Sequence, residues 1–167
     1  MLDQGPKQGW AAVERWPPVG IVAGAVGGAA ASWLMYVLSD LAAIQLMLVP
    51  FATSILLVMG TPEAAPAQPR ALIGGHLVST LVGIAVLYVA GSSPPAAAVA
   101  VGLAMLAMHL TRSFHPPAGI DPFIVVHYAT PWTYLLMPVL AGVLLLAAFA
   151  FIWHNLWRRG TWPRQWW

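Results

Sequence analysis

Along the chain, charged positions are sparse and the stretches between them are long and apolar. The acids are Asp3, Glu14, Asp40, Glu63 and Asp121, and the bases are Lys7, Arg15, Arg70, Arg112, Arg158, Arg159 and Arg164. A helix needs about 20 mostly apolar residues to cross the hydrocarbon of a bilayer. The charge-poor stretches predict helices over Val19–Leu38, Leu41–Gly60, Ala71–Gly91, Pro95–Thr111 and Trp132–Trp157. One more stretch, Ser113–Pro131, is apolar but interrupted by Pro116, Pro117 and Pro122. Proline removes an amide donor and breaks a helix, so this segment either crosses as a discontinuous helix or dips in and returns.

Composition narrows the class. Of 167 residues, 60% are hydrophobic and 7% charged, where a soluble domain carries about 25% charged residues. Seven Lys+Arg and five Asp+Glu cannot supply a polar shell, so a water-soluble globule is excluded. A disordered chain is excluded too, since it needs low hydrophobicity and high charge. What remains is an all-α polytopic membrane protein. No cysteine is present, which excludes disulfides and thiolate chemistry. A net charge of +2 does not argue for nucleic acid, and the partner the composition names is the lipid bilayer.

The placement of the bases sets orientation, because short cytoplasmic loops collect Lys and Arg. If Ser113–Pro131 crosses, Lys7, Arg15, Arg70, Arg112 and the C-terminal arginines all fall on one side, and the other side holds no base. The rule therefore favours six spans with both termini in the cytoplasm of a cell with an inner membrane. Met1–Trp16 is polar and lacks the apolar core of a signal peptide. The expected organisation is an N-terminal cytoplasmic segment over 1–17, a transmembrane domain over 18–157 and a Trp/Arg-rich interfacial tail over 158–167.

Two segments resemble each other at an offset of 67 positions, so that Ser54 aligns with Asp121. Pro50–Pro62 reads PFATSILLVMGTP and Pro117–Pro131 reads PAGIDPFIVVHYATP. Each runs from Pro through small residues and a short apolar run to a Pro-containing turn, and each leads into a long helix with a small-residue centre. The chain then divides into two three-helix repeats, about 19–91 and about 95–157, with Pro-broken helices at 41–60 and 113–130. Three spans per repeat force the second to be inverted relative to the first. In transporters built this way, substrate binds between the discontinuous helices near the bilayer midplane. Two unrelated Pro-kinked helices are the plainer alternative.

Unpaired backbone groups are costly in lipid, so His115-Pro116-Pro117-Ala118-Gly119 must line an enclosed or watery cavity. A helix start beyond that break offers free N–H groups to an anion. Candidate substrate-binding residues are Thr53, Ser54, Arg112, His115, Pro116, Pro117, Ala118 and Gly119. Arg112 is either an inside-positive anchor or a source of attraction for an anion. Asp121 is either a helix N-cap or an intramembrane functional acid. It opposes an anion if permanently ionised, and is therefore expected to be paired or protonated. His76, His115 and Asp121 are the proton-coupling candidates, since histidine titrates near physiological pH. His109, His127 and His154 complete the histidines, with a plain interfacial role for His154; a haem held by His76 and His109 has no other support. No metalloprotease, nucleophile-elbow or phosphate-loop signature is present, so no enzyme, metal or cofactor is expected. Gly24–Ala31 reads GAVGGAAA, a stripe of small residues for close helix packing within the bundle or between subunits.

These residues carry a resemblance. His115–Gly119 matches the HPPAG signature of the HPP family of integral membrane proteins, and Pro50–His76 resembles that family's other typical stretch, with Ala67-Gln68-Pro69-Arg70 and Gly74-Gly75-His76 in order. The similarity covers roughly Val19 to Phe151. It implies a compact multi-span domain, commonly counted as four helices. Plastid and cyanobacterial members are associated with nitrite transport, which implies a transporter or channel for a small anion such as nitrite. One departure stands out: Ile120-Asp121-Pro122 follow the signature, where family members often carry small or hydroxyl residues. The expected function is thus an anion transporter or channel, possessing proton coupling if His76, His115 or Asp121 serves it. Its alternatives are a non-transporting scaffold or accessory subunit and a transporter of another small solute. Short spans rich in small residues also suit a homo-oligomer.

Overall fold

The long apolar stretches fold into helices across the residues described. The computed structural model describes residues 18–43, 49–156 and 160–166, and among them all regular elements are helical. In chain order these are α1 (Pro18–Ala42), α2 (Val49–Gly60), α3 (Pro69–Ala90), α4 (Pro94–Leu110), α5 (Asp121–His127) and α6 (Ala141–Asn155). Tight 3-10 turns stand at Ala65–Ala67, Pro116–Ile120 and Trp132–Leu135. The expected N-terminal segment over 1–17, with Lys7 and Arg15, lies outside the described residues, as do Arg158 and Arg159.

Prolines start helices here and rarely interrupt them. Pro69 opens α3 and Pro94 opens α4, positions where the missing N–H has no partner to lose. Ser93 caps α4 by accepting a hydrogen bond from Ala96 N. The expected break before Leu41 is absent: exposed Asp40 sits inside α1, which runs on to Ala42 because neither Gly nor Pro stops it. The described part of the second span is therefore Val49–Gly60 alone. The last span is also subdivided. Met137 leaves helical geometry (φ −135°, ψ 118°) beside Pro138, and a wide turn over Leu136–Leu140 joins the 3-10 start to α6.

Among the described residues, three stretches are long and apolar enough to cross a membrane, Pro18–Ala42, Pro69–Ala90 and Trp132–Asn155. The interrupted elements are much shorter. α2 has 12 residues, and the turn Pro116–Ile120 with α5 contributes five and seven. Each such element as described spans only about 18 Å at 1.5 Å per residue, short of the roughly 30 Å of hydrocarbon in a bilayer. The Pro116–Ile120 turn packs against both α2 and α3, and α5 packs against α3, the hub that also carries α4 and α6, while α2 lies on α1 and α6.

The distribution of polarity matches a lipid solvent. Val22, Val26, Leu56, Leu81, Val89, Leu103, Leu106 and Ile152 are exposed, whereas Ser54, His76, Ser79, Thr80, His115 and Asp121 are buried. A soluble protein places these classes the other way round. The protein is a helical membrane protein. Its small-residue stripe works within the bundle: a Cβ on Gly24 would lie 2.7 Å from the Met59 carbonyl oxygen, so α1 and α2 meet backbone to backbone.

The tail is divided between two environments. Trp166 is exposed, but Trp162 is 1% exposed, and its indole N–H donates to the Ala67 carbonyl at 3.2 Å. Gln68 fastens the same corner, donating to Pro62 O at 2.7 Å and accepting from Arg164 N at 2.9 Å. Trp162 is thus part of the core that contains Val58, Leu72 and Leu146. Trp162→Ala is expected to cost about 3–5 kcal/mol, as large aromatic truncations do; thermal unfolding in detergent checks this, with Trp166→Ala as the near-neutral comparison.

Candidate functional site

The two interrupted elements meet at a line of buried polar side chains. Ser54 lies in the first turns of α2, and its Oγ is within hydrogen-bond distance of the Pro50 carbonyl, at 2.8 Å. The same Oγ is 2.9 Å from His76 Nε2 and 2.8 Å from His115 Nε2. His76 Nδ1 is 2.7 Å from Asp121 Oδ2. His115 Nδ1 donates to the Pro66 carbonyl at 2.7 Å. The line therefore runs Asp121–His76–Ser54–His115–Pro66. Its four side chains are at most 1% exposed. His76 is three to four residues from the midpoint of α3, so the line sits within about 5 Å of the helix centre at 1.5 Å per residue.

The local backbone explains why these groups converge. α4 ends with Arg112 in the left-handed region (φ 55°), where Arg112 N donates to His109 O and Ser113 N to Met108 O. That pattern closes a helix and reverses the chain. His115 then stands extended (φ −130°, ψ 97°), as residues before proline do, and the 3-10 turn follows. Ser79, one turn beyond His76 on α3, donates to the Ala118 carbonyl at 2.5 Å and holds that turn to the helix. Close approach requires glycine: a Cβ on Gly75 would lie 2.6 Å from His115 Cβ, and one on Gly83 would lie 2.6 Å from Pro122 Cα. Phe51 closes the other side, its ring stacked on His76 at 5.0 Å.

Of the residues singled out in the sequence, Ser54, His76, His115 and Asp121 come together, with Ala118 joined through its carbonyl. Gly119 and Pro117 are half-buried and Pro116 is exposed. Thr53 is exposed, one residue and about 100° of helix turn from Ser54, and its hydroxyl donates to Pro50 O at 2.9 Å. Arg112 is exposed at the end of α4, while Arg70 donates to Thr111 O at 2.9 Å beside it. His109 and His127 are exposed and stack on Phe114 and Phe123, and His154 donates to Val58 O at 3.0 Å. Sequence reasoning missed Ser79, Phe51 and the Pro66 carbonyl. Only Ser79 left a signal, its three-residue spacing from His76 placing both on one helix face.

Residues 13–163 match the family described as HPP, transmembrane region. The chain belongs to the HPP family. Two curated relatives, both from Dictyostelium discoideum, are described only as transmembrane proteins. One is 39% identical over 125 residues, covering 70% of this chain and 40% of the relative. The other is 34% identical over 134 residues, covering 75% of this chain and 47% of the relative. The HPP chain thus spans less than half the length of these relatives. No solved structure matches it. Within this HPP protein, the signature His115–Gly119 is the extended residue and tight turn that bring one histidine into the buried line.

The arrangement has two chemical readings on its own terms. Ser54, His76 and Asp121 have the order and spacing of a nucleophile, base and orienting acid. They also form, with His115, a continuous hydrogen-bonded path along which a proton can move.

Proposed function

We propose that this HPP protein moves a small inorganic anion, nitrite in the first instance, across a cell's inner membrane, and couples that movement to protons. The observation that carries this is the buried Asp121–His76–Ser54–His115 line at the meeting point of the two interrupted elements. Ionisable side chains within a membrane are costly and are kept for ion or proton handling. Discontinuous helices in two inverted halves, with the substrate between them, are how many secondary transporters are built. On this reading Ser54, His115 and the backbone of Pro116–Gly119 meet the anion. Arg112 and Arg70 supply positive potential at one mouth, on the cytoplasmic side that also holds the chain termini. Exposed Thr53 takes no part.

The same reading places the protein outside the enzymes. Ser54 Oγ is shared among three partners, so its hydroxyl is not committed to one base as a nucleophile's is. A fluorophosphonate probe is expected to leave Ser54 unlabelled in lipid bilayers. Stoichiometric labelling that Ser54→Ala abolishes would overturn this and favour a membrane hydrolase.

The decisive experiment is nitrite flux into liposomes with an imposed pH gradient, at a pH well above the range where nitrous acid leaks through lipid. Saturable flux above empty liposomes, stimulated when the anion side is acidic, is expected. His115→Ala should reduce it at least tenfold. No flux of nitrite, nitrate, formate or chloride would sink the anion reading and favour a scaffold or another solute.

A further inference from the structure

The buried line constrains its own proton count. A carbonyl only accepts, so His115 Nδ1, 2.7 Å from Pro66 O, carries a proton. Ser54 has one hydroxyl proton and faces two imidazole nitrogens, at 2.8 and 2.9 Å. If the hydroxyl donates to His115, then His76 Nε2 must donate to the hydroxyl. If it donates to His76, then His115 Nε2 must donate. The His76–Asp121 contact at 2.7 Å needs a further proton between its atoms. The Pro50 carbonyl, 2.8 Å from the same Oγ, competes for that hydroxyl proton; a donation there would make both Nε2 atoms donors and bring the total to five. The four contacts of the line thus take four protons at the least, with the Ser54 hydroxyl turned away from Pro50. Two neutral imidazoles, one hydroxyl and an ionised carboxylate hold three. With only three, one Ser54–histidine contact would set lone pair against lone pair.

We infer that Asp121, His76, Ser54 and His115 form a single one-proton site, seen here loaded, and that this proton travels with the anion one for one. Loaded, the site is electrically neutral. The added proton rests either on the Asp121–His76 pair or on His115. Passage between them needs His76 Nε2 to give its proton to Ser54 Oγ while Ser54 gives its own to His115 Nε2. Atoms and charge balance in that step, and no further reactant is involved. Unloaded, the site keeps one negative charge and repels an anion. Loading therefore permits anion entry, and the pair crosses with no net charge. The coupling step rests on the transport reading above, whereas the proton count does not.

The surroundings fix where the proton enters. The ionisable groups facing the line are its own members and Tyr134, which lies within electrostatic reach of Asp121 from the turn before α6. Phe51 on α2 presents only its ring. Arg70 is engaged with Thr111 at the end of α4. At the His115 end, Pro66 O closes the line. At the other end, Asp121 Oδ1 is buried without a hydrogen bond among the described residues, as are Thr80 Oγ1 and Tyr134 Oη. Among the described residues of the line, open hydrogen-bonding capacity lies at Asp121 Oδ1, which makes that end the port for proton exchange.

The test is side-chain nitrogen and carboxyl NMR of the isotope-labelled protein in lipid bilayers over a pH series, paired with flux. Near neutral pH, His115 Nδ1 should be protonated, and one extra proton should be found on Asp121, His76 or His115. Raising the pH should shift all three with one common midpoint. Ser54→Ala should uncouple His115 from the other two, and Ser54→Thr should restore the coupling. An ionised Asp121 beside unprotonated Nε2 on both histidines at neutral pH would overturn the one-proton site, as would separate midpoints in the native chain. In liposomes, one proton per nitrite and indifference to an imposed voltage support the coupling; voltage-driven nitrite flux without protons overturns it. A loaded site with no anion flux upholds the proton count and refutes the transport reading alone.

Discussion

Asp121→Asn is expected to separate anion movement from proton movement. The asparagine amide can donate to His76 Nδ1, which leaves His76 Nε2–H to donate to Ser54 and Ser54 to donate to His115. All contacts of the loaded line are then made, with no proton that can be discharged. The variant should fold, carry anion and lose its response to the pH gradient. The stimulation should fall by about a hundredfold, the low end of what a positioned proton-transfer group contributes. Asp121→Ala should behave differently. It leaves His76 Nδ1 buried without its partner at 2.7 Å, a loss of about 1–3 kcal/mol in stability. Comparing the pH-gradient dependence of nitrite flux and the unfolding temperature of both variants checks the argument. An Asp121→Asn protein that remains fully gradient-driven would remove Asp121 from the coupling path.

The second large effect is steric. Gly75 and Gly83 face the break and the start of α5 so closely that an added Cβ would lie 2.6 Å from His115 Cβ or Pro122 Cα. Backbone cannot yield as a flexible side chain does. Gly75→Ala and Gly83→Ala should each cost about 1–3 kcal/mol by overpacking. The damage extends to function, because pushing the break off α3 lengthens the His76–Asp121 and Ser79–Ala118 contacts. Gly102→Ala is the control. Gly102 sits in α4 with open space around it, and alanine there should be neutral or stabilise by about 0.5–1 kcal/mol through helix propensity. Thermal unfolding with flux on the same preparations separates the cases. Equal stability of Gly75→Ala and Gly102→Ala would contradict the packing described.

How far residues alone led can be followed one at a time. His115 and Asp121 were legible because an imidazole and a carboxyl inside a proline-broken apolar stretch have no cheap place in lipid. Ser54 was legible through its place in the repeat, opposite Asp121. Thr53, one position away, looked equivalent and is exposed, since neighbours on a helix face different directions and no pattern in a uniformly apolar segment shows which face is inward. Arg112 looked like a charge at a mouth; its backbone, reversing the chain in the left-handed region, is what the fold requires of it. Trp162 was grouped with the other tail tryptophans, and its contact with Ala67, 95 positions earlier, had no local signature.

The sequence by itself determined the solvent and the class. Scarcity of charge forces a chain of this length into lipid, and lipid forces closed backbone hydrogen bonding and hence helices. It also marked the break at Pro116-Pro117, because proline acts on its own neighbours whatever lies around it, but neither the end of α1 at Ala42 nor the wide turn at Leu136–Leu140. Only the tertiary structure decided which polar groups meet. Ser54 and His115 are 61 positions apart and His76 and Asp121 are 45 apart. Their contacts depend on the rotation and depth of four segments at once. Without a polar outer face to set those rotations, it is glycine-sized gaps at Gly75 and Gly83, and the hydrogen bonds they permit, that select one packing.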